Sequence, residues 1–311
     1  MSGEPNLRIS GDIGRPRGDV AVVIPAYNAA GFVAYALASA LAQRDVVREV
    51  VVVDDGSTDD TVGIVRAYAR AGVKLIQQPN LGPSAARNAG WRAASAAWIQ
   101  FLDADDFLPP GSLASLLARA ASAPDGNSIP YGFEEVHGPV PGAMAAFHGY
   151  MARRNGMLLK ECCVWYQGTL FSALIPRTAL EAVAGFADDL WCGEDYDLAT
   201  RLALRYPFTF VDAPTYAARM HGSNRHRHFK LAALDDYLRS IDRNLASSLD
   251  ARARRLAGAA RARWCYAFGQ KTMEAGDPVG ARRCFRRAIA AQPWKLGAWR
   301  GWLRSLLSQR R

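Results

Sequence analysis

Short unbroken runs of Val and Ile alternate with amphipathic stretches of helical period through the first third of this chain, and that alternation restricts its fold more than any other feature. DVAVVIPAYN, REVVVVDDGS, VKLIQQP and AWIQFLDADD are the apolar runs; GFVAYALASALAQ, TDDTVGIVRAYARAG and GPSAARNAGWRAAS lie between them. A strand that is apolar at every position has no face for water, so both faces must be covered. A parallel sheet with crossover helices on each side does this. The expected class is α/β, a doubly wound, mostly parallel sheet. Ligands of such sheets sit at the carboxyl ends of the strands, where the sequence places PAYN (Pro25 to Asn28), DDGS (Asp54 to Ser57) and DADD (Asp103 to Asp106).

The last of these crowds three carboxylates into four positions, followed by Pro109 and Pro110. Like charges that close are either a solvated turn or a cation site. No GxGxxG follows the first strand and no GxxxxGK[ST] occurs, so both common glycine-loop cradles for phosphate are missing. A nucleotide bound here needs another countercharge for its diphosphate, and Mg²⁺ or Mn²⁺ held by carboxylates supplies one. The five cysteines show no CxxC spacing, which argues against a zinc site or a disulfide framework and for a reducing, cytoplasmic setting. The polar start, residues 1–18, reads as a disordered segment, and no run of 18 apolar residues suggests a membrane span.

The segments VVIPAYNAAGFVAYALASALAQ, VVVDDGSTDDT, NLGPSAARNAG, FLDADDFLPP and GEDYDLATRL, in that order, resemble the family 2 glycosyltransferases of the GT-A fold. The resemblance covers roughly residues 20–220 and places a nucleotide-diphospho-sugar transferase domain at residues 19–228. It implies transfer of a sugar from a nucleotide diphosphate donor, with inversion, assisted by a divalent metal. The QxxRW motif of processive synthases is absent, which implies a single-addition enzyme. By resemblance, Asp103 contacts the ribose and nucleotide and Asp105 binds the metal, while Asp55 hydrogen-bonds the base. An Asp accepting from a ring N–H favours uracil or thymine, although guanine also offers such a donor. Pro25, Ala26 and Tyr27 resemble the lining of the base pocket. Arg87 and Asn88 fall where the family contacts ribose or diphosphate; a cation near a helix N-terminus is unfavourable unless an anion is nearby. Arg219 and His221 resemble the segment that closes over the diphosphate, with His221 an extra metal ligand.

In GEDYDLATRLALRY, helical spacing separates the acids. Glu194, Asp197, Arg201 and Arg205 form one polar stripe, read as a solvated face, with Asp197 and Arg201 spaced for an i,i+4 pair. Asp195 shares its side with Leu198 and Leu202, so its carboxylate faces inward, which is costly unless it lines a cleft. The resemblance makes this residue the catalytic base. Trp191 and Glu194 are candidate acceptor contacts, as are Trp165, Tyr166 and Gln167 in the stretch from Ala123 to Thr169.

Charge is uneven: residues 1–218 carry 17 Lys/Arg against 23 Asp/Glu, and residues 219–311 carry 21 against 6. The region 229–311 is Ala/Arg/Leu-rich and reads as all-α, with breaks near Ser248, Gly276 to Pro278 and Gln292 to Pro293. Gly269, Ala281, Phe285, Ala288 and Pro293 fit one tetratricopeptide-like helix pair, and Trp299 begins a truncated second unit. A lone repeat cannot bury its face alone, so it docks on the catalytic domain, on a second copy in a homodimer, or on a partner. The expected acceptor is a glycan or lipid-linked acceptor, with a polypeptide as the rival and a non-catalytic adaptor as the rival outside enzymes. The basic tail suits an anionic membrane surface at the inner face of the cell membrane. Nucleic acid is not expected, because the Arg residues are spread around the helices without a stacking strand.

Overall fold

The computed structural model describes residues 18–122, 128–138, 153–165, 170–222 and 231–308. Residues 1–17 lie outside them, as do the acceptor candidates Tyr166 and Gln167. Strand β1 (Val20–Ala26) is central, with β2 (Val47–Asp54) and β3 (Val73–Gln77) on one side and β4 (Trp98–Phe101) on the other, all parallel. A short β6 (Ile175–Pro176) closes the edge antiparallel to β4. Chain order reverses between β1 and β4, so the crevice at their carboxyl ends is the switch point at which such sheets bind ligands.

The expectation that both faces are covered holds residue by residue. On β1, Val20, Val22 and Ile24 join one buried cluster with Val33 and Leu37 of α1 (Val33–Leu41) and Leu113 and Leu116 of α4 (Ser112–Ala121). Ala21 and Val23 join another, with Ala86 and Trp91 of α3 (Pro83–Ala93). Helix α3 sits so close that a Cβ on Gly90 would lie 2.4 Å from Val23 Cγ1, so only glycine fits there. Helix α2 (Thr61–Ala67) joins β2 to β3, and α5 (Arg177–Ala182) follows β6.

A second sheet pairs β5 (Ile129–His137) with β7 (Phe208–Arg219) in parallel. The bridge Phe107↔Ala217 ties β7 to the DADD loop. Between β6 and β7 lies α6 (Glu194–Ala203).

Helices α7 (Ala233–Ile241), α8 (Ala251–Glu274), α9 (Pro278–Ala291) and α10 (Leu296–Leu307) complete the chain, and their breaks coincide with those expected. Asp250 and Asp277 cap α8 and α9 by accepting from Arg252 N (2.7 Å) and Gly280 N (2.8 Å). Gly269 and Gly301 flank the Phe285 ring, where a Cβ would approach to 2.7 and 2.5 Å. Trp264 of α8 stacks on Tyr237 of α7 (3.9 Å between centroids) and meets Tyr196 of α6 edge-on (5.3 Å). Ala253, Ala257, Ala260 and Cys265 share one apolar cluster with Ile99, Leu198 and Leu202. The helical region packs on this chain's own transferase core, one of the three docking places expected for it. Among the described residues no helix is long and apolar enough to cross a membrane.

The polar stripe of α6 departs from expectation. Glu194 and Asp197 are buried, and Asp195 is the more exposed of the three acids. The Asp197–Arg201 pair forms, at 2.6 Å, but Asp197 also accepts from Ser240 Oγ (2.9 Å), Asn244 Nδ2 (2.7 Å) and Arg243 Nη2 (3.0 Å). The face read as solvated is the one that α7 and the π-helical turn after it cover.

Candidate active site

The DADD loop leaves β4 at the switch point and turns back toward β7. One oxygen from each of Asp103, Asp105 and Asp106 lies within 4.8 Å of the others. Three adjacent carboxylates are tolerated because Asp106 is taken inward. It is buried, accepts from Tyr216 Oη (2.6 Å) and Arg219 N (2.8 Å), and is thereby fastened to β7. Burial, then the charges of Asp103 and Asp105, push its carboxyl up to about 8. Asp103 and Asp105 stay half-buried and are the more accessible of the three. His221 follows β7 and brings Nε2 to 3.1 Å from Asp105 Oδ2 while its ring stacks on Phe32 (4.2 Å). Arg219 donates from Nε to the Asp105 carbonyl (2.6 Å), its guanidinium over the Tyr35 ring at 4.6 Å. The clustered carboxylate oxygens are a donor set suited to Mn²⁺ or Mg²⁺, and the His221 imidazole touches one of them, Asp105.

Arg87 is placed differently from its expected role. It projects from α3 into the core, 1 % exposed, with Nη2 at 2.7 Å from Asp103 Oδ1 and Nη1 at 2.9 Å from Glu194 Oε1. The Phe171 and Phe186 rings lie 4.9 and 5.3 Å from its guanidinium carbon. Desolvation alone would lower its pKa, but the two acids outweigh it and hold the cation above its ordinary range. The anion that makes a cation at this helix start tolerable is thus a pair of protein carboxylates, and no phosphate is needed to explain it. Glu194, proposed for the acceptor, is the second of those carboxylates, so it faces Arg87 in the interior. Asn88 is also buried and occupied: its amide donates to the Phe186 carbonyl and Asp188 and accepts from Trp91 and Phe186. It pins α3 to the loop before α6.

That loop carries Trp191, 71 % exposed. Its amide and that of Cys192 donate to Asp236 of α7 (3.0 Å each). Asp195 follows in the first turn of α6, half-buried, accepting from Tyr196 N (2.7 Å). Glu134 of β5, whose register partner is Tyr216, feels the charges of both Asp103 and Asp195. Burial, then the charges of Asp103 and Asp195, push Glu134 up to about 8. That direction favours the protonated form of this carboxyl at neutral pH. A recess of about 140 Å³ opens between Leu81–Ser84 and Asp188–Trp191. Trp165, the last residue of the π-helical turn Glu161–Trp165, is exposed.

At the ends of β1 and β2, Tyr27 is exposed, Pro25 half-buried and Ala26 buried. Asp55 is buried: Oδ1 accepts from Gln78 Nε2 (2.7 Å) and Leu81 N (2.9 Å), and Oδ2 from Gly82 N (2.9 Å). Asp55 thus shapes the loop into α3 as well as bordering the crevice. Glu134, Phe32, which stacks on His221, and Tyr216, which donates to Asp106, lie in segments whose sequence patterns do not reveal these neighbours.

Residues 21–156 match the profile of Glycosyl transferase family 2. The succinoglycan biosynthesis protein ExoU of Rhizobium meliloti (strain 1021) is 32% identical over 260 residues, which cover 76% of this chain and 72% of ExoU. ExoO of the same organism is 47% identical over 106 residues, 34% of this chain and 30% of that protein, so the chain spans under a third of ExoO. The mannosyltransferase PcManGT of Pyrobaculum calidifontis, solved with GDP-Man and Mn²⁺, superposes with a TM-score of 0.60 over 96% of this chain and 87% of its own, at 19% identity. A switch-point crevice with an aspartate cluster, the profile match and the likeness to ExoU agree: the chain belongs to glycosyl transferase family 2, a GT-A α/β fold carrying a helical C-terminal region.

Proposed function

We propose that the protein is a metal-dependent, inverting, non-processive transferase that moves a sugar from a nucleotide diphosphate donor, a UDP-sugar, to a hydroxyl of a saccharide acceptor in surface polysaccharide or glycolipid assembly. The observation that carries this reading is the convergence at one crevice of Asp103, Asp105 and His221 with the first turn of α6, tied together by Arg87. The likeness to ExoU supports polysaccharide assembly, and the Mn²⁺ and GDP-Man of PcManGT support a metal and a nucleotide-sugar.

Asp105, Asp103 and His221 would hold the cation, which when bound supplies countercharge to the donor diphosphate. Tyr27 packs on the base, and Asp55 accepts from its ring N–H. Asp195 takes the proton of the acceptor hydroxyl as that oxygen attacks the anomeric carbon from the face opposite the departing diphosphate. The bond to the diphosphate oxygen breaks in the same step, and Arg219 lies beside the emerging charge. Protonated Glu134 donates a hydrogen bond within the cleft, and the recess beside Trp191 receives the acceptor sugar. The enzyme works in the cytoplasm at the inner membrane face.

A thermal-shift panel of UDP-, GDP- and dTDP-sugars with and without Mn²⁺ tests the donor, since a ligand at 100 times its Kd stabilises the native state by about 2.7 kcal/mol. UDP-sugars should raise the midpoint only with Mn²⁺, and Asp105→Ala should abolish that dependence. Asp195→Asn should keep the shift and lower turnover by roughly 10² to 10⁴. A Mn²⁺-independent shift, a preference for GDP-sugars, or normal turnover of Asp195→Asn would each refute its part of the reading.

A further inference from the structure

Helix α10 packs on the rest of the protein through Ala298, Gly301 and Ser305, with Gly301 against Phe285 and Ser305 O accepting from Arg282 Nη2 (2.9 Å). Its other side is not covered among the described residues. Leu296 (69 % exposed), Trp299, Leu303 and Leu307 (68 %) recur at spacings of three and four and so share one face. Exposed Arg300 and Arg304 are interleaved on the same side. Neither arginine makes an ion pair among the described residues. Trp294, just before the helix, is 75 % exposed.

A water-facing helix does not ordinarily set four large apolar side chains in a row, and a protein-docking face does not ordinarily thread guanidinium groups through them without acids. Residues 293–311 contain no Asp or Glu. Two copies meeting through this face would bring four arginines together with no countercharge on the helix, which disfavours self-association. A bilayer of acidic phospholipid accepts both features at once. Leu and Trp enter the boundary between headgroups and acyl chains, while Arg stays at the phosphate level. The surrounding charge agrees, since residues 219–311 carry 21 Lys/Arg against 6 Asp/Glu.

We propose that the exposed face of α10 is an interfacial membrane-docking surface for anionic phospholipid, through which the enzyme lies on the bilayer without spanning it. This surface lies outside the crevice and does not depend on the identity of donor or acceptor, so its failure would leave the proposed reaction untouched.

The test is flotation of the full chain with phosphatidylcholine vesicles and with vesicles containing phosphatidylglycerol, at low and high salt. The protein should float with the anionic vesicles at low salt, and high salt should weaken the association. Removing two cations near the surface should reduce partitioning by about thirtyfold, so Arg300→Glu/Arg304→Glu should lose at least that much. Leu296→Ser/Leu303→Ser should lose binding even at low salt. All four residues are exposed, so both variants should keep the wild-type melting midpoint and metal-dependent donor shift. Equal flotation with neutral vesicles, indifference to salt, or unchanged binding by the Arg variant would overturn the proposal. So would a dimer in sedimentation that dissociates on Leu296→Ser/Leu303→Ser. Should a variant misfold, the lipid-charge and salt dependence of the wild type still decides.

Discussion

Arg87→Met removes the guanidinium fork that joins the DADD loop to α6. The side chain is 1 % exposed, and its partners Asp103 and Glu194 are 28% and 10% exposed. Each pair brings opposite charges to within hydrogen-bonding distance; at an effective dielectric of 20 and about 4 Å between charge centres, the attraction is about 4 kcal/mol. The wild-type pair gives back much of that gain as desolvation, but the variant does not recover it. It keeps the buried Glu194 and the half-buried Asp103 and loses their countercharge. Breaking a buried pair from one side costs about 3–5 kcal/mol, a large share of the about 5–15 kcal/mol by which domains are stable. Urea unfolding followed by tryptophan fluorescence should show a lower midpoint with an unchanged slope. Glu194→Gln, which retains an acceptor oxygen for Nη1 and removes one charge, should lose about 1–3 kcal/mol. Metal-dependent UDP affinity should fall more in Arg87→Met, because Asp103 then loses the partner at 2.7 Å that orients it. A cost below about 1 kcal/mol for Arg87→Met, with UDP affinity intact, would refute the claim that this arginine positions the metal-side carboxylate.

Asp197→Asn should cost about 2–3 kcal/mol, because the carboxylate is fully buried against Arg201 and Arg243, with the Arg243 contribution reduced by that residue's 42% exposure. Burial raises the Asp197 pKa, but Arg201 and Arg243 outweigh it and hold the group below its ordinary value. Its stabilisation is therefore present above the unfolded pKa of about 3.9 and is lost as pH falls through the folded one. Urea midpoints from pH 7 down to pH 3 should drop less steeply for Asp197→Asn than for the wild type, and parallel curves would count against the pairing. A chain ending at Leu249 should be insoluble or bind hydrophobic dyes, since it uncovers Tyr196, Tyr237, Leu198 and Leu202. A soluble, cooperatively melting truncation would show that α8 to α10 are dispensable to the fold.

The crevice was legible because its parts are local. Val/Ile runs at β1 and β2, and the apolar stretch around Gln100 at β4, read as buried strands, and the polar motifs that end them must then gather at one edge of the sheet. The helix α6 shows where such reading stops. A period of 3.6 separates Asp195 from Asp197 correctly, yet it states only that they diverge, not which side is covered. The answer came from Ser240, Arg243 and Asn244, more than 40 residues later, in helical sequence that carries no mark of its partner. Arg87 repeats the point across 107 residues: proximity to a helix start called for an anion, and the anion proved to be Glu194 and Asp103. Local electrostatics identified the need but could not identify the donor of the charge. This has a consequence for the chemistry. Asp195 is aimed by a helix whose other two acids are both anchored inward, Glu194 to Arg87 and Asp197 to Arg201 and Arg243. The pairs that reach from α6 to other elements, Glu194 with Arg87 and Asp197 with Arg243, set the rotation of α6 about its axis, and with it the direction of the proposed base. Substitutions at either pair should lower turnover through misplacement of Asp195 while leaving its ionisation unaltered. The pH profile of kcat should then keep its shape in Glu194→Gln as its height falls; a shifted acidic limb would mean that Glu194 acts on the proton itself.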